Sequence, residues 1–435
     1  MNYRYFKKST LLLLIISVLT CSCKSGPFSV FKSSSPHELY KKGLISSGLN
    51  RTAMGKTWIK LSDQILQTPV TVKIPYLEKG YFPSEEVRAA SFSFKMQRGQ
   101  KLNVKLTRKP LDGFEIYTDI WEKDENGTLR ILGSIDTLGR TFQLEIDQTS
   151  NYIVRLQPEL LAGGEYTLEI TSGPSLDYPL GTFRNNQIRS FWGDNRDAGS
   201  RKHEGVDIFS PFRTPVLASA PGSIRVNENE LGGKVVWLRP EGKNYTLYYA
   251  HLDEQTVSNG EYVQKGDTVG LMGNTGNARS TPPHLHFGIY ARGGAVDPLP
   301  FIDPRVQVAQ QLPNSAPLLN SLSRTTQGVI LTGAKNANLQ NGTIVKVVAA
   351  AGSTYRVELP DGTQGYIPSK QLASTASRIK TLKLSGMSIP VFDKPDSSAA
   401  VKVTLQSGET VNLIGRFGVY DMISTTKNKG WILSR

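Results

Sequence analysis

Residues 283–287 are Pro-His-Leu-His-Phe, and this stretch decides how the middle of the chain is expected to fold. Successive side chains of a β-strand point to opposite faces, so His284 and His286 share one face and Leu285 lies on the other. One face then carries two imidazoles into a common cavity, while the opposite face packs into a core. The pattern predicts a half-buried strand that presents two histidines side by side.

Four of the chain's five histidines lie between positions 203 and 286. His203 stands four residues before Asp207, and His251 follows the strand-like run at 245–250. A separation of four also keeps two side chains on one face of a strand, so His203 and Asp207 are expected to converge on one ion. Two histidines and one carboxylate match a catalytic zinc, which takes three protein ligands and keeps a fourth position for water.

The pair His203-Glu204 also begins like the helical metallopeptidase motif His-Glu-x-x-His. The second histidine of that motif is missing, because Asp207 stands in its place. Gly205 and Pro211 disfavour a helix over this segment. We therefore reject the helical motif, and with it Glu204 as a general base.

Three short motifs together resemble the lysostaphin-type zinc metallopeptidases, which cut peptidoglycan peptides. They are HEGVD at 203–207, YAHL at 249–252 and PHLHF at 283–287. The stretches TPVLA at 214–218 and VQKGDTVG at 263–270 support the resemblance. The match covers less than a third of the chain, and the three motifs in this combination are highly specific.

The resemblance implies one zinc ion per chain, held by His203, Asp207 and His286. It also implies that His251 and His284 form a catalytic pair beside the metal. Zinc polarises the scissile carbonyl and lowers the pKa of bound water to about 7. One histidine would take the proton from the attacking water, and the other would hydrogen-bond the developing oxyanion or protonate the leaving amine. The sequence leaves open which histidine does which.

Two neighbouring positions depart from the family pattern. Members commonly have Gly before the Pro-His-Leu-His run and Glu after its Phe, where this chain has Pro282 and Gly288. Neither residue is a ligand, but Pro282 stiffens the approach to His284 and is expected to reshape the cleft. The departures bear on substrate choice more than on activity.

The favoured function is a zinc-dependent endopeptidase that hydrolyses peptide cross-links of peptidoglycan. An alternative is a catalytically silent activator or wall-binding scaffold that regulates another cell-wall hydrolase, as degenerate members of the family do. Those members typically lack zinc ligands, whereas every expected ligand is present here. A lipoyl or biotinyl carrier is a third class, because the stretch at 263–270 resembles its hairpins, but no lysine with the expected flanks sits at a hairpin tip.

The first 23 residues predict an exported protein. A basic segment followed by an apolar run at 11–19 is typical of a secretory signal peptide, here residues 1–23. The last residues of this segment resemble the lipobox of bacterial lipoproteins, which implies a lipid anchor at Cys23, or at Cys21. The alternative is an ordinary secreted protein that is cleaved just downstream. Both place the protein on the periplasmic or cell-surface side of the envelope.

Composition excludes several classes of protein. The two cysteines both lie in the signal segment, so the body has no disulfide framework and no cysteine-based zinc site. The longest apolar run is too short to cross a bilayer, which excludes a polytopic membrane protein. The formal charge of +14, from 51 basic and 37 acidic residues, suits anionic envelope polymers or a lipid surface as partners. No basic arm or motif for binding nucleic acid is present.

The N-terminal half is expected to be helical and then all-β. A helical tether is expected over 24–68, in which a capping box at 35–38 starts a short first helix and a second helix covers 57–66, with His37 on the surface. Period-two alternation predicts a β-sandwich over 69–173, with Asn126-Gly127 as a hairpin turn.

The zinc metallopeptidase domain is expected at 176–303, followed by a polar linker at 304–327. An internal repeat then resembles bacterial SH3-like barrels, at 328–375 and 378–435. The predicted fold class is therefore mainly β and multidomain. It comprises a β-sandwich, a β-rich zinc peptidase domain and two small SH3-like barrels, with a short N-terminal helical segment.

Overall fold

The computed structural model describes most of the chain after the predicted signal. The described residues are 34–135, 141–196, 199–305, 308–309, 311–312, 316–333, 336–385 and 388–434. The predicted signal peptide, with Cys21 and Cys23, lies outside them. Within these ranges, no helix combines the length and the hydropathy that crossing a bilayer requires.

Two helices open the described chain, α1 (Pro36–Ser46) and α2 (Ala53–Gln67), joined by a 3₁₀ turn at Leu49–Arg51. Ser35 caps α1 as predicted, since its hydroxyl accepts a hydrogen bond from the Glu38 amide at 3.2 Å. The second helix begins at Ala53, earlier than predicted, because Thr52 caps it through the amide of Gly55.

The prediction of a surface position for His37 is wrong. The imidazole is fully buried, stacks on Trp58 with ring centroids 4.7 Å apart, and lies 2.7 Å from Oε1 of Gln157. His37 is seven residues from the buried Leu44, so both lie on the face of α1 that meets the next layer. Trp58 in turn donates to the Pro158 carbonyl at 2.8 Å. The segment predicted as a tether is docked on the β-layer that follows it.

The next nine strands form two sheets around one core. They are β1 (Val70–Thr71), β2 (Tyr76–Phe82), β3 (Ala90–Met96), β4 (Gln100–Lys109), β5 (Ile116–Lys123), β6 (Leu129–Ile135), β7 (Phe142–Glu145), β8 (Ser150–Pro158) and β9 (Gly164–Pro174). One sheet has the order β1-β3-β8-β5-β6, and β2-β9-β4-β7 belong to the other. Alternate residues of both sheets, among them Phe92 and Val104, fill the shared core. Gly127 has a φ of +84° in the predicted hairpin turn between β5 and β6.

The middle of the chain forms a second β-layer, followed by the short helix α3 (Leu299–Ile302). Its strands are β10 (Ile188–Ser190), β11 (Asn195–Arg196), β12 (Arg201–Lys202), β13 (Val206–Phe209), β14 (Pro215–Leu217), β15 (Gly222–Asn229), β16 (Gly233–Pro240), β17 (Tyr245–Gln255), β18 (Tyr262–Val263), β19 (Thr268–Met272), β20 (His284–Ala291) and β21 (Gly294–Val296). The main sheet has the order β10-β13-β20-β17-β16-β15-β18.

The two faces of this main sheet differ in character. One face packs into the domain core through residues such as Leu238, Tyr249 and Phe287. We call the opposite face of strands β13, β20, β17, β16 and β15 the site face. Its side chains follow from the strand register and are Asp207, Phe209, His284, His286, Gly288, Tyr290, Thr246, Tyr248, Ala250, Val235, Trp237, Arg239, Ser223 and Arg225.

The C-terminal part is two further small β-units. The first contains β22 (Leu322–Thr325), β23 (Val329–Leu331), β24 (Ala337–Leu339), β25 (Ile344–Ala351), β26 (Thr354–Glu358), β27 (Gln364–Pro368) and β28 (Leu372–Ser374). The second contains β29 (Lys380–Lys383), β30 (Ile389–Phe392), β31 (Val401–Leu405), β32 (Thr410–Phe417), β33 (Tyr420–Ser424) and β34 (Lys429–Leu433). The mainly β, multidomain fold class is confirmed, and the SH3-like character of these units stays a prediction. Strand β22 begins inside the predicted linker and pairs with β25 and β28.

The N-terminal sandwich and the first C-terminal unit share one continuous sheet. Strand β2 pairs with β9 on one side and with β25 on the other, where Lys79 lies opposite Ala350. At this seam the guanidinium of Arg356 donates from Nε and Nη2 to the two carboxylate oxygens of Glu78, each at 3.1 Å. The Tyr166 hydroxyl also donates to Glu78, at 2.6 Å. The two regions are therefore joined by both a strand pair and a buried ion pair.

Candidate metal centre

The strand predicted from Pro-His-Leu-His-Phe is β20, and it presents the two histidines as expected. Leu285 is fully buried in the core, and His284 and His286 lie on the site face. The antiparallel pairing of β13 with β20 sets Asp207 directly opposite His286. On the other side of β20, Ala250 lies opposite His286, so a small residue leaves room beside the imidazole.

The imidazole of His203 lies beside Asp207 and His286, although His203 itself is outside strand β13. The prediction that His203 and Asp207 share one face of a strand is therefore wrong. His203 lies in the segment before β13, where its backbone pairs with that of Asp194 through an N–H···O bond of 2.8 Å. Its Nε2 lies 3.0 Å from Oδ1 of Asp207 and 3.0 Å from Nδ1 of His286. The third distance, from Nδ1 of His286 to Oδ1 of Asp207, is 3.1 Å. The three predicted ligand atoms thus form a nearly equilateral triangle.

The donor set fits a divalent cation such as zinc. The other ring nitrogen of His203 lies 2.9 Å from the Phe191 carbonyl, which fixes a proton on Nδ1 and leaves Nε2 with a lone pair. Two imidazole nitrogens and a carboxylate oxygen facing one point are the usual ligands of a catalytic zinc with three protein ligands. All three residues are more than half buried, which excludes most competing water.

The charge balance of the cluster favours an ionised carboxylate. Burial alone would raise the pKa of Asp207, but its contacts with His203 and His286 outweigh burial, and the pKa lies well below its ordinary value. Burial lowers the pKa of His286, against the opposing effect of Asp207. A carboxylate beside neutral imidazoles is the protonation state in which all three can bind a metal.

Arg196 is a further residue of the site that the sequence does not predict. It binds the oxygen of the Asp207 carboxylate that faces away from the two imidazoles. Its Nη2 donates to Oδ2 of Asp207 at 2.8 Å and also contacts the Ser190 hydroxyl. Arg196 lies on β11, which pairs only with β12 in a two-stranded ribbon among the described strands. Nothing in the local sequence marks this arginine, because the contact depends on how the ribbon folds over β13.

The two predicted catalytic histidines lie beside the ligand cluster. The ring centroids of His251 and His284 are 5.0 Å apart, and His251 is 5.9 Å from His286. In both rings Nδ1 faces a backbone carbonyl, that of Thr275 at 2.9 Å for His251 and that of Pro282 at 3.0 Å for His284. Each Nε2 is therefore available for proton transfer.

His251 is held in a conformation that its residue type rarely adopts. Its φ is +63°, in the left-handed region, and the pairing of β16 with β17 is irregular just here. Such strain persists only where the surrounding structure imposes it, and it concentrates at functional sites. Burial, with contributions from His284 and His286, lowers the pKa of His251 to about 4. His251 is therefore neutral at pH 7 and able to accept a proton.

Known proteins match this region of the chain. Residues 201–298 match the model of peptidase family M23. The L-Ala–D-Glu endopeptidase of Bacillus subtilis (strain 168) is 33% identical over 138 residues, 29% of this chain and 42% of the relative. The peptidoglycan DD-endopeptidase ShyA of Vibrio cholerae is 33% identical over 129 residues, 28% of this chain and 29% of the relative. The chain thus spans less than half the length of either.

A solved structure is also similar to part of the chain. The structure of LytU is 37% identical and matches 28% of this chain and 87% of its own chain, with a TM-score of 0.26. The resemblance predicted from the three motifs is confirmed for this part of the sequence. Residues 201–298 thus match peptidase family M23, and this region contains all five candidate site residues.

Proposed function

We propose that this protein is a zinc-dependent endopeptidase that hydrolyses peptide cross-links of peptidoglycan. The observation that carries the proposal is the convergence of His203 Nε2, Asp207 Oδ1 and His286 Nδ1 at about 3 Å, beside His251 and His284. The M23 domain supports a peptidase, and the two relatives named above, an L-Ala–D-Glu endopeptidase and a peptidoglycan DD-endopeptidase, support a wall peptide as the substrate.

His203, Asp207 and His286 would hold one zinc ion, and Arg196 would keep the carboxylate in place. When bound, zinc supplies a Lewis acid that polarises a peptide carbonyl and activates a water molecule. The mostly buried cluster would strengthen these electrostatic effects by excluding bulk water.

His251 and His284 would carry the proton transfers. One accepts the proton of the attacking water on Nε2, and the other hydrogen-bonds the oxyanion or protonates the leaving amine. The backbone carbonyls of Thr275 and Pro282 hold the two rings so that both Nε2 atoms are free for this chemistry. Such positioned acid–base groups contribute about 10²–10⁴-fold to the rate.

The site would work outside the cytoplasm. The signal-like segment 1–23 and its cysteines support export and a lipid anchor at Cys23, or at Cys21, on the periplasmic or cell-surface side. The excess of basic residues would favour anionic polymers of the envelope as further partners. A silent activator is the weaker candidate, because all five expected site residues are present and brought together.

The proposal is tested by mass spectrometry of purified sacculi after incubation with the zinc-loaded mature chain. We expect new free amines from cut cross-links, and the masses of the products name the bond. The matched control is the Asp267→Asn variant, whose carboxylate caps a turn at Gln264 away from the ligand cluster and should leave cleavage intact. Zinc-loaded protein that releases no product from any wall type would contradict the proposal.

A further inference from the structure

The site face continues past the metal ligands into a second row of residues. In the register of the sheet, Gly288 lies opposite Tyr248, Tyr248 opposite Trp237, and Trp237 opposite Arg225. We call these four residues, together with Tyr290 two positions after Gly288, the aromatic track. The track starts next to the ligand cluster, since the rings of Tyr248 and His286 are 5.9 Å apart.

Aromatic rings form the floor of the track. Trp237 and Tyr248 have ring centroids 4.3 Å apart, and Tyr290 lies 5.4 Å from Trp237. Trp237 and Tyr290 are only partly buried, so part of each ring faces outward. A Cβ at Gly288 would lie 3.1 Å from the ring of Tyr290. The absence of a side chain at 288, where the family commonly has Glu, therefore lets the tyrosine ring lie close over the strand.

Charge differs between the two ends of the track. At the metal end, the exposed Glu204 is close enough to Tyr290 to act on its hydroxyl and places a carboxylate there. At the far end, Arg225 is exposed and forms no ion pair or hydrogen bond through its side chain with any described residue. Arg239 lies one row further along the same face. An acidic group of a ligand is therefore favoured at the Arg225 end.

The length of the track limits what can occupy it. From β20 to β15 the sheet advances by three strand spacings, about 14 Å. An extended peptide advances about 3.3 Å per residue, so about four residues cover this distance. Partly exposed aromatic rings suit the apolar parts of such a chain, and a free guanidinium suits a carboxylate.

We infer that the aromatic track binds the substrate peptide to one side of the scissile bond. Trp237 and Tyr290 contact its apolar parts, and Arg225 binds a carboxylate about four residues from the bond that is cut. The ligand class is thus an extended acidic peptide. This inference rests on the proposed function, which supplies the cleavage at the metal end.

The inference is tested with two wall-derived peptides that differ only in a distal free carboxylate or its amide. Binding to the metal-free chain is measured by calorimetry, so the result does not depend on turnover. We expect the acidic peptide to bind roughly tenfold more tightly than the amide, because one charged hydrogen bond is lost. The Arg225→Gln variant should bind both peptides alike, and Trp237→Ala should weaken both equally.

Matched variants separate this role from a general loss of charge. Arg51→Gln removes the same charge from the N-terminal helical segment and should leave the preference for the acidic peptide unchanged. Trp237→Phe keeps an aromatic ring and should restore much of the affinity that Trp237→Ala loses. Equal binding of the two peptides to the wild-type chain, or a preference that survives Arg225→Gln, overturns the inference.

Kinetics distinguish the inference from the proposed function. With zinc present, Arg225→Gln should raise KM for the acidic peptide about tenfold and leave kcat within about twofold, since the contact is made in the ground state too. Intact binding preference without any cleavage would refute the endopeptidase and keep the track. Cleavage with no preference between the peptides would support the endopeptidase and refute the role of the aromatic track.

Discussion

Two buried carboxylates in this molecule are surrounded in opposite ways. At the seam between the sandwich and the first C-terminal unit, Glu78 accepts hydrogen bonds from Arg356 and Tyr166, so protein donors satisfy it. At the metal centre, one oxygen of Asp207 is bound by Arg196, and the other faces two imidazole nitrogens. Protein donors therefore satisfy the Glu78 carboxylate at the seam. At the metal centre, three ligand atoms instead face one point, where a metal ion would bind.

The difference separates a structural role from a functional one. The Glu78 cluster buries charge but also joins strands from opposite ends of the chain, so its effect should appear in stability. The Asp207 cluster directs its ligand atoms at one point beside a strained histidine, so its effect should appear in metal binding and turnover. Substitutions in the Glu78 cluster should therefore change stability, and substitutions in the Asp207 cluster should change metal binding and turnover.

The largest effect is expected for His286→Ala. Removing one of three ligands should abolish both zinc retention and hydrolysis, whereas His284→Ala should keep zinc and lose about 10²–10⁴-fold in turnover. Zinc content by elemental mass spectrometry and release of free amines measure the two effects separately. Should His284→Ala strip the metal while His286→Ala keeps it, the two roles are reversed.

The sequence predicted the chemistry of the site better than its surroundings. The period of two placed His284 and His286 on one face, because strand geometry allows no other arrangement for alternate residues. The spacing predicts that His203 shares a strand with Asp207, but His203 lies before the strand Val206–Phe209. No local spacing indicates the role of Arg196, because its contact depends on a ribbon folding over another strand.

Long-range packing was the part that the sequence could not indicate. The capping box predicts the start of α1 at Pro36, but a cap does not indicate which face of a helix is buried, so the prediction for His37 is wrong. The pairing of Lys79 with Ala350 joins strands that are far apart in the chain. Alternation within each strand says which residues are buried, but not which distant edge they meet.

The next largest effect is expected on stability, from Arg356→Met. This change leaves the fully buried Glu78 without its cation, and breaking a buried ion pair costs about 3–5 kcal/mol. Calorimetric unfolding should show the sandwich transition moving to lower temperature, while zinc content stays unchanged. The matched control is Lys243→Met, which breaks a partly exposed ion pair with Glu145 and should cost less than about 1 kcal/mol. Equal decreases in unfolding temperature for the two variants would show that the ion pair between Glu78 and Arg356 has no special role in stability.

A smaller, pH-dependent effect is expected where α1 docks on the sandwich. Burial, reinforced by the charge of Arg155, lowers the pKa of His37 to about 4, from 6.5 in the unfolded chain. Between these values the unfolded state binds more protons, so the stabilisation is complete above pH 6.5 and is lost as pH falls toward 4. The full loss is about 3 kcal/mol, at 1.36 kcal/mol for each pKa unit.

Hydrogen exchange of α1 and α2 at pH 7 and pH 5 measures this loss directly. The His37→Gln variant keeps a donor toward Gln157 but cannot titrate, so the pH-dependent part of the exchange should disappear. The same pH dependence in both proteins would assign it to other groups.

The smallest effect is expected for Arg196→Gln, which tests whether Arg196 positions the Asp207 carboxylate for metal binding. Losing the contact to Oδ2 of Asp207 should lower zinc affinity about 10–100-fold, as for other groups that orient a metal ligand. Turnover at saturating zinc should change less, because Arg196 binds the carboxylate oxygen that faces away from the two imidazoles. Competition with a chelator measures the affinity, and Lys202→Gln on the partner strand, whose amine contacts Asn195, is the matched control. An unchanged affinity would mean that His203 and His286 suffice to position the carboxylate of Asp207. The metal centre would then need no contact beyond its three ligands, just as the Glu78 carboxylate needs none beyond its own donors.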